Sequence, residues 1–197
     1  MYSQNNEEQI ILELLLNTKG RLLDIGAYDG KTFSNSYQLL LEGWNGILIE
    51  PAPSVIFSLI NNTNDIKDRL EIINAAIVPT KQEKLLEFND SMGDAVSTSN
   101  KSHYELWKKA VNYRKVFVST ITIEDVINMF GEKFEFVNLD VEGQNIEILK
   151  TLPFNKMNTK VICVEHEYKY DVITDILGRQ GYVEHFRNSE NMIFKKI

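Results

Sequence analysis

Short apolar runs alternate along the chain with segments in which apolar residues recur every three or four positions. Runs of the first kind predict buried strands, and segments of the second kind predict amphipathic helices. The alternation therefore predicts βαβ units around a mainly parallel sheet. The strand candidates are 21–25, 46–50, 70–77, 134–140 and 160–165, and the helix candidates are 34–42, 53–61, 103–110, 124–130, 143–150 and 171–179.

The N-terminal segment predicts a helix that packs against the rest of the domain. Within residues 1–18, Ile10, Ile11, Leu14 and Leu15 recur at helical spacing. The segment begins with polar and acidic residues, whereas a secretory leader begins with basic ones, so we expect no signal peptide. No apolar run reaches the roughly 18 residues that a spanning helix needs, so we expect no membrane span.

The C-terminal residues break the alternation of strands and helices. Residues 182–187 and 191–196 are two strand candidates joined by the polar turn NSE. Because this turn is too short for a crossover helix, the two strands are predicted to form an antiparallel hairpin. The sequence thus predicts an α/β fold with a mainly parallel seven-stranded sheet, helices on both faces and an antiparallel closing hairpin. That outline resembles the Rossmann-like fold of class I methyltransferases, which bind S-adenosylmethionine.

A stretch between the third and fourth core strands fits the alternation poorly. Residues 84–100 combine a short strand with a loop of small residues, and residues 116–123 are rich in β-branched side chains that favour strands. We interpret residues 84–115 as an insertion that forms a lid or contacts the acceptor substrate. A flexible decoration of the fold explains the same pattern equally well.

Composition and charge narrow the class of protein. A length of 197 residues suits one domain, residues 1–197, and 43% hydrophobic with 25% charged residues is typical of a soluble globule. The net charge of −7 disfavours a polyanionic partner, so we expect no nucleic acid. The one cysteine, Cys163, cannot form an internal disulfide, which favours a cytoplasmic location. The sequence gives no indication of the oligomeric state.

The turn after the first strand candidate carries a carboxylate where a dinucleotide-binding fold carries glycine. The stretch LLDIGAYDG contains Asp24, followed by Gly26 and Gly30. A pyrophosphate about 4 Å from Asp24 would be disfavoured by about 4 kcal/mol at an effective dielectric constant of about 20. A ligand that carries an ammonium and a sulfonium is favoured by the same interaction, and S-adenosylmethionine is such a ligand. Gly26 lets the turn approach the ligand closely.

Two further strand ends offer groups to a nucleoside. Glu50 follows the second strand candidate, 20 residues beyond Gly30, near the spacing at which an acidic residue meets the ribose hydroxyls. Pro51 then turns the chain outward. Asn74 and Ala75, in the third strand candidate, would contact adenine. Each feature also has a purely structural explanation as a turn or a solvated strand end, so the prediction rests on their combination.

Five motifs in a fixed order carry a more specific resemblance. LLDIGAYDG, LIEPAPSVIFSL, INAAI, VSTITIEDVI and FVNLDVEGQNIEIL resemble the FkbM family of S-adenosylmethionine-dependent methyltransferases, from about Arg21 to His166. The resemblance implies a class I fold and methyl transfer to hydroxyls of sugars, glycolipids, polyketides or other small metabolites. The predicted cofactor-binding residues are Asp24, Gly26, Tyr28, Gly30, Glu50, Pro51, Asn74 and Ala75.

The chain departs from the family pattern at two positions. The family usually has lysine two residues before the aspartate of its Asp-x-Glu-Gly motif, and here that position is Asn138. It also favours glutamate two residues after the glycine, where this chain has Asn145. These changes bear on substrate and catalytic detail rather than on fold or cofactor.

Acidic residues gather after the fourth and fifth core strand candidates. NLDVEG carries Asp140 and Glu142, and VEHE carries Glu165, His166 and Glu167. Because ligands bind beyond the carboxyl ends of parallel strands, both groups should flank the methyl donor. We predict that Asp140 lies nearest the methionine amine or the acceptor and that Glu142 and His166 hold or deprotonate the hydroxyl. Asp140 and Glu165 are weaker candidates for a divalent cation, and the preferred prediction is a site without metal.

Other functions remain compatible with the sequence. The leading prediction is a methyltransferase for a small-molecule or glycan hydroxyl. The alternatives are a non-catalytic binding module with the same fold, a methyltransferase for a protein or nucleic-acid acceptor, and a nicotinamide oxidoreductase. His103 and His185 have weaker claims to catalysis than His166, because one lies in a helix candidate and the other in the closing hairpin.

Overall fold

In the computed structural model, which describes residues 1–80 and 84–197, helices and strands alternate as the sequence predicts. The strands are β1 (Arg21–Ile25), β2 (Asn45–Ile49), β3 (Leu70–Ile73), β4 (Ala76–Ile77), β5 (Leu85–Asp90), β6 (Arg114–Ile121), β7 (Phe136–Leu139), β8 (Val161–Glu165), β9 (Tyr182–Arg187) and β10 (Asn191–Lys196). The helices are α1 (Glu7–Leu14), α2 (Tyr37–Leu41), α3 (Ile56–Asn62), α4 (Lys101–Trp107), α5 (Ile123–Phe130), α6 (Asn145–Leu149) and α7 (Tyr170–Arg179), with a 3-10 helix over Asn64–Arg69.

Seven of the strands form the central sheet, in the spatial order β3-β2-β1-β7-β8-β10-β9. The pairs among the first five strands in this order are parallel, and β10 pairs antiparallel with both β8 and β9. The predicted parallel sheet with an antiparallel closing hairpin is confirmed. In the described ranges, no helix is both long and apolar enough to cross a bilayer.

Strand residues alternate between two hydrophobic clusters, one on each face of the sheet. In β1, Leu23 and Ile25 pack with residues of α5, α6 and α7, whereas Leu22 packs with residues of α1, α2 and α3. This is the period of two that a strand buried on both faces requires. Helices therefore cover both faces, as predicted.

The predicted single strand over 70–77 is wrong, because the chain leaves the main sheet at Asn74. Only β3 continues the sheet, and β4 pairs instead with β6, in a separate sheet of order β4-β6-β5. The Asn74 side-chain amide donates to the carbonyl oxygen of Glu50 at 2.8 Å, which fixes the bend. The branched and apolar residues of 70–77 fit a strand on either side of the bend, so their pattern did not reveal it.

The remaining elements lie in the insertion and in the residues that follow it. Residues 84–100 form β5 and a loop, and the β-prone stretch 116–123 belongs to β6 and the start of α5. Thr122 caps α5 in a reciprocal pair with Asp125, which explains why the strand ends there. The predicted helices all form, with boundaries a few residues from those expected; α1, for example, occupies only the middle of the predicted 1–18 segment.

Candidate active site

A cavity of about 430 Å³ opens at the carboxyl ends of the parallel strands β1, β2, β7 and β8. This volume lies in the range of small-molecule sites, and the place is the one where open α/β sheets bind ligands. One wall is formed by the turns after β1 and β2, another by the turn after β7, and a third by residues 88–111 of the insertion. The wall residues from the insertion are Phe88, Asp94, Ala95, Val96, Ser97, Ser99, His103, Trp107 and Val111.

The turn after β1 passes very close to the turn after β7. Gly26 has φ +91°, and a Cβ atom there would lie 1.6 Å from the carbonyl oxygen of Asp140. Any side chain would therefore collide with the backbone as well as strain it. Gly26 lines the cavity, so its lack of a side chain keeps two walls of the site together.

Gly30 has a different role from Gly26. Its φ of +76° also favours glycine, but a Cβ atom there would lie 2.4 Å from Leu59 Cδ1 on α3. Gly30 is not among the residues that line the cavity. It shapes the turn for helix packing, and it lies behind the cavity wall.

Glu50 organises the turns after β1 and β2. Its Oε2 accepts the backbone N–H of Tyr28 at 2.9 Å, and its Oε1 accepts that of Ala52 at 2.7 Å. Burial raises the pKa of this carboxyl group to about 7, although both hydrogen bonds act in the opposite direction. Glu50, Tyr28 and Pro51 all line the cavity.

Asp24 belongs to a buried polar network on one face of the sheet. It is the cross-strand neighbour of Asn138, whose side-chain amide donates to Asp24 Oδ1 at 2.9 Å, and Asn35 donates in turn to Asn138 at 3.1 Å. Burial raises the pKa of Asp24 to about 6. Asn138, the first departure from the pattern of the family that the sequence resembles, therefore gives Asp24 a neutral amide as its partner.

The bend after β3 supplies the apolar part of the cavity. Ala75, Ala76 and Ile77 line it, together with Ile49 at the end of β2. Asn74 is exposed and is not a lining residue, because its amide is directed to the backbone carbonyl oxygens of Glu50 and Pro51. Of the two predicted adenine contacts, the structure brings only Ala75 to the cavity.

Three carboxylates meet at the other end of the cavity. Asp140, Glu142 and Glu165 each present an oxygen such that all three oxygens lie within 4.8 Å of one another. Burial raises the pKa of all three groups, and their mutual repulsion adds to the effect. Among the described residues, Asp140 Oδ1 is buried with no hydrogen-bond partner. An orphaned buried carboxylate oxygen suits a cationic or hydrogen-donating group in the cavity.

The carboxylate oxygens are hard ligands of the kind that Mg²⁺ prefers. Two contacts favour a different use of them in this chain. Glu142 Oε2 already pairs with a histidine, and Glu165 Oε2 already accepts a hydrogen bond from the Asn145 amide. The donor set therefore fits a cationic organic ligand at least as well as it fits a metal.

His103 is the residue that sequence reasoning underrated. It lies on α4, and its Nε2 is 2.7 Å from Glu142 Oε2 across the cavity wall. The two residues are 39 positions apart, so no local motif joins them. The available signal was Asn100, a good N-cap residue just before the helix, whose side chain accepts the backbone N–H groups of Ser102 and His103.

His166 lies outside the cavity lining, although it directly follows β8. It is 2% exposed; its Nδ1 accepts the backbone N–H of Tyr168 at 3.0 Å, and its Nε2 is 3.2 Å from the carbonyl oxygen of Asn188. With Nδ1 as an acceptor, Nε2 must carry the proton and donate it. Both ring nitrogens are thus engaged with backbone groups, and these contacts favour a structural role for His166.

Glu167 and Asn145 brace the turn after β7. The Gly143 N–H donates to Glu167 Oε1, and the Asn145 amide donates to Glu165 Oε2 at 2.9 Å. Asn145 Oδ1 also accepts the Val141 N–H at 2.8 Å. Asn145 therefore joins the ends of β7 and β8 by hydrogen bonds. It is also the second position at which the chain departs from the family pattern.

A comparison with models of protein families assigns most of the chain to one family. The model described as the methyltransferase FkbM domain matches residues 24–184, a range that includes the cavity residues named above. A search of the curated proteins finds no match.

Solved structures share the fold at low sequence identity. A precorrin-6y C5,15-methyltransferase from Geobacter metallireducens GS-15 has a TM-score of 0.56 and 11% identity, over 96% of this chain and 87% of that one. A candidate RNA methyltransferase from Pyrococcus horikoshii has a TM-score of 0.53 and 14% identity, over 97% and 80%. Magnesium protoporphyrin IX methyltransferase from Synechocystis PCC 6803, solved with bound S-adenosylmethionine, has a TM-score of 0.50 and 12% identity, over 98% and 78%. The shared fold is that of class I methyltransferases.

Proposed function

Since the chain belongs to the FkbM methyltransferase family, we propose that it transfers the methyl group of S-adenosylmethionine to a hydroxyl group of a small metabolite, sugar or glycolipid. Family and fold together support an S-adenosylmethionine-dependent methyltransferase. The observation that carries the proposal is the buried pair Asp24 and Glu50 beside Gly26, at the strand ends where such a nucleoside binds.

The cavity residues fit the cofactor as follows. Glu50 keeps free lone pairs on both oxygens after accepting two backbone N–H groups, so it can accept both ribose hydroxyls. Ala75 and Ile77 offer flat apolar contact to adenine. Asp24 and the orphaned Oδ1 of Asp140 offer negative charge to the ammonium and sulfonium. Each part of the ligand thus has a partner of matching chemistry.

The bound cofactor would supply an electrophilic methyl group. The protein's contribution is then positioning, because an in-line displacement needs the hydroxyl oxygen held against the methyl carbon. We assign Asp140 and Glu142, which present their carboxylates to each other at one end of the cavity, to orienting the hydroxyl. His166 holds the turn after β8 in this proposal.

Residues 84–115 are proposed to contact the acceptor. Support comes from the wall that this segment contributes to the cavity, which includes the exposed side of Trp107. Turns of the seven-stranded sheet and residues of the insertion line the same cavity, which supports one methyltransferase domain over residues 1–197. The net charge of −7 favours a small or neutral acceptor over RNA, the acceptor class named for one structural neighbour. The buried free thiol of Cys163 fits the proposed cytoplasmic location.

Calorimetry with S-adenosylhomocysteine, followed by a transfer assay, tests the proposal. We expect the purified protein to bind the nucleoside and to pass a tritiated methyl group from S-adenosylmethionine to members of a panel of methyl glycosides, polyols and phenols. If the protein binds the nucleoside and transfers the methyl group to a protein or RNA fraction but not to hydroxyl compounds, the acceptor is a macromolecule and the proposed acceptor class is wrong. Absence of binding at millimolar ligand would favour the non-catalytic module.

We propose that the transfer needs no metal, because Glu142 is engaged by His103 and Glu165 by the Asn145 amide. Prolonged dialysis against EDTA is expected to leave methyl transfer unchanged. Loss of transfer that Mg²⁺ restores would show that the carboxylates at this end bind a cation instead.

A further inference from the structure

We propose that His103 is the general base that removes the proton from the acceptor hydroxyl, held in the correct tautomer by Glu142. This inference rests on the proposed function and assigns the proton-transfer step to a residue outside the sequence-predicted catalytic set. It makes the insertion a part of the catalytic centre as well as a wall of the cavity.

The first support is the pairing of the imidazole ring. Nε2 lies 2.7 Å from Glu142 Oε2, so in the neutral ring the proton is on Nε2, where it is donated to the carboxylate. Nδ1 then carries a free lone pair. Among the described residues Nδ1 is buried and has no hydrogen-bond partner, and His103 lines the cavity. A buried acceptor without a protein partner is suited to a hydroxyl that enters the site.

The second support is that the protein fixes this ring from both sides. Asn100 begins α4 by accepting the His103 N–H, and its own amide donates to the Gly143 carbonyl oxygen at 2.8 Å. Thr98 Oγ1 donates to the Glu142 carbonyl oxygen at 2.6 Å. The helix that carries the base and the turn that carries its carboxylate are therefore tied together by two further hydrogen bonds.

Backbone geometry at the turn points the same way. Glu142 has φ +48°, a region that residues with a Cβ atom rarely adopt and that costs about 1 kcal/mol or more. At Gly143, with φ +99°, a Cβ atom would lie 2.7 Å from Asn100 Cβ. The turn is held in an unfavourable conformation, and in this conformation the Glu142 carboxylate contacts His103. Backbone strain of this kind is common at active sites.

The charges around the ring suit a base. Burial lowers the pKa of His103, but Glu142 after β7, Glu165 at the end of β8 and Glu167 after β8 raise it, and the net shift is upward. In the reaction, the acceptor O–H gives its proton to Nδ1 while the oxygen forms a bond to the methyl carbon. The C–S bond breaks and its electron pair stays on sulfur. The positive charge thus moves from the sulfonium to an imidazolium beside Glu142.

The first test needs no acceptor. The chain has three histidines, so ¹⁵N-histidine NMR of the complex with S-adenosylhomocysteine can be assigned with H103Q and H185Q variants. We expect the neutral His103 ring to carry its proton on Nε2 and to protonate on Nδ1 as the pH falls. A neutral ring protonated on Nδ1, or a ring that stays charged across the whole stable pH range, would overturn the proposal.

The second test compares acceptors that do and do not need a base. H103Q keeps an amide near Glu142 but removes the titratable nitrogen. For a hydroxyl compound that the wild-type protein methylates, we expect kcat to fall about 100-fold or more and the KM for S-adenosylmethionine to stay within about threefold. Transfer to a thiolate or nitrophenolate probe, which is already ionised, should fall far less. Equal losses for both kinds of acceptor would indicate a structural role and overturn the proposal.

Two controls separate this inference from the proposed function. The exposed His185 lies on β9, and H185Q should leave both rates unchanged. If wild-type protein fails to bind S-adenosylhomocysteine, the proposed function fails, whatever the tautomer of His103. If binding and transfer persist in H103Q at the wild-type rate, the function stands and the base assignment is wrong.

Discussion

The two ends of the cavity are built in different ways. At the nucleoside end, Asp24, Gly26 and Glu50 come from two neighbouring parallel strands within 27 residues of each other, and backbone N–H groups fix the carboxylate. At the transfer end, His103 and Glu142 come from the insertion and the main sheet, and their pairing depends on tertiary contacts. The nucleoside end therefore depends on backbone geometry, and the transfer end on side-chain pairing.

The largest loss of nucleoside binding is expected when a side chain is added at Gly26. In G26A the new Cβ atom would lie 1.6 Å from the Asp140 carbonyl oxygen, so the two turns must separate. We expect loss of detectable S-adenosylhomocysteine binding, more than about 100-fold, together with reduced stability.

G131A provides the matched control for G26A. Gly131 has a similar φ of +88°, but a Cβ atom there would have no neighbour within 4 Å. Only the backbone penalty of about 1–3 kcal/mol should remain, with unchanged binding. Calorimetry and urea unfolding measure both quantities. Equal behaviour of the two variants would mean that the close approach to Asp140 does not shape the site.

A smaller effect is expected from E50Q. The amide retains one acceptor oxygen but presents N–H donors to a backbone N–H, so it disturbs both the Tyr28 turn and the ribose contact. We expect affinity for S-adenosylhomocysteine to fall about 10- to 100-fold by calorimetry. E71Q, at an exposed position on β3, should bind as the wild-type protein does. Unaltered affinity in E50Q would remove Glu50 from the ribose site.

The stability of the protein and its affinity for the ligand should both depend on pH through the two carboxylates of the nucleoside end. Burial raises the pKa of Asp24 to about 6 and that of Glu50 to about 7. Because the folded protein holds these protons more tightly than the unfolded chain, the empty protein should lose stability as the pH rises from about 4 to about 7. A ligand that needs the charged carboxylates should gain about tenfold in affinity between about pH 6 and 8. A flat affinity profile would contradict this account, and E50Q should flatten it.

The smallest effect on binding is expected at His166. Because both ring nitrogens contact backbone groups, H166Q should lower the free energy of unfolding by about 1–3 kcal/mol. It should change S-adenosylhomocysteine affinity by less than about threefold. Urea unfolding and calorimetry test this. A stable H166Q variant that binds normally but transfers no methyl group would restore the catalytic role predicted from sequence.

The contrast also explains what the sequence could predict. The sheet and its closing hairpin followed from apolar periodicity, and the grouping of Asp24, Gly26 and Glu50 in one cavity wall followed from residues close together in the chain. Three details did not. The bend at Asn74 depends on a hydrogen bond to a different strand, the burial of His166 depends on the closing hairpin, and the placement of His103 depends on a helix 39 residues before its partner.

The central claim is that the Asp24 carboxylate, near the end of β1, selects a cationic nucleoside over a dinucleotide. Titration with S-adenosylmethionine and with NAD⁺ tests this claim. We expect the wild-type protein to bind S-adenosylmethionine and not NAD⁺ at millimolar concentration. D24N keeps an oxygen that can accept the Asn138 amide. We also expect D24N to lower the affinity for S-adenosylmethionine about tenfold more than the affinity for S-adenosylhomocysteine, whose sulfur is uncharged. Binding of NAD⁺ with no binding of either sulfur nucleoside would contradict the account.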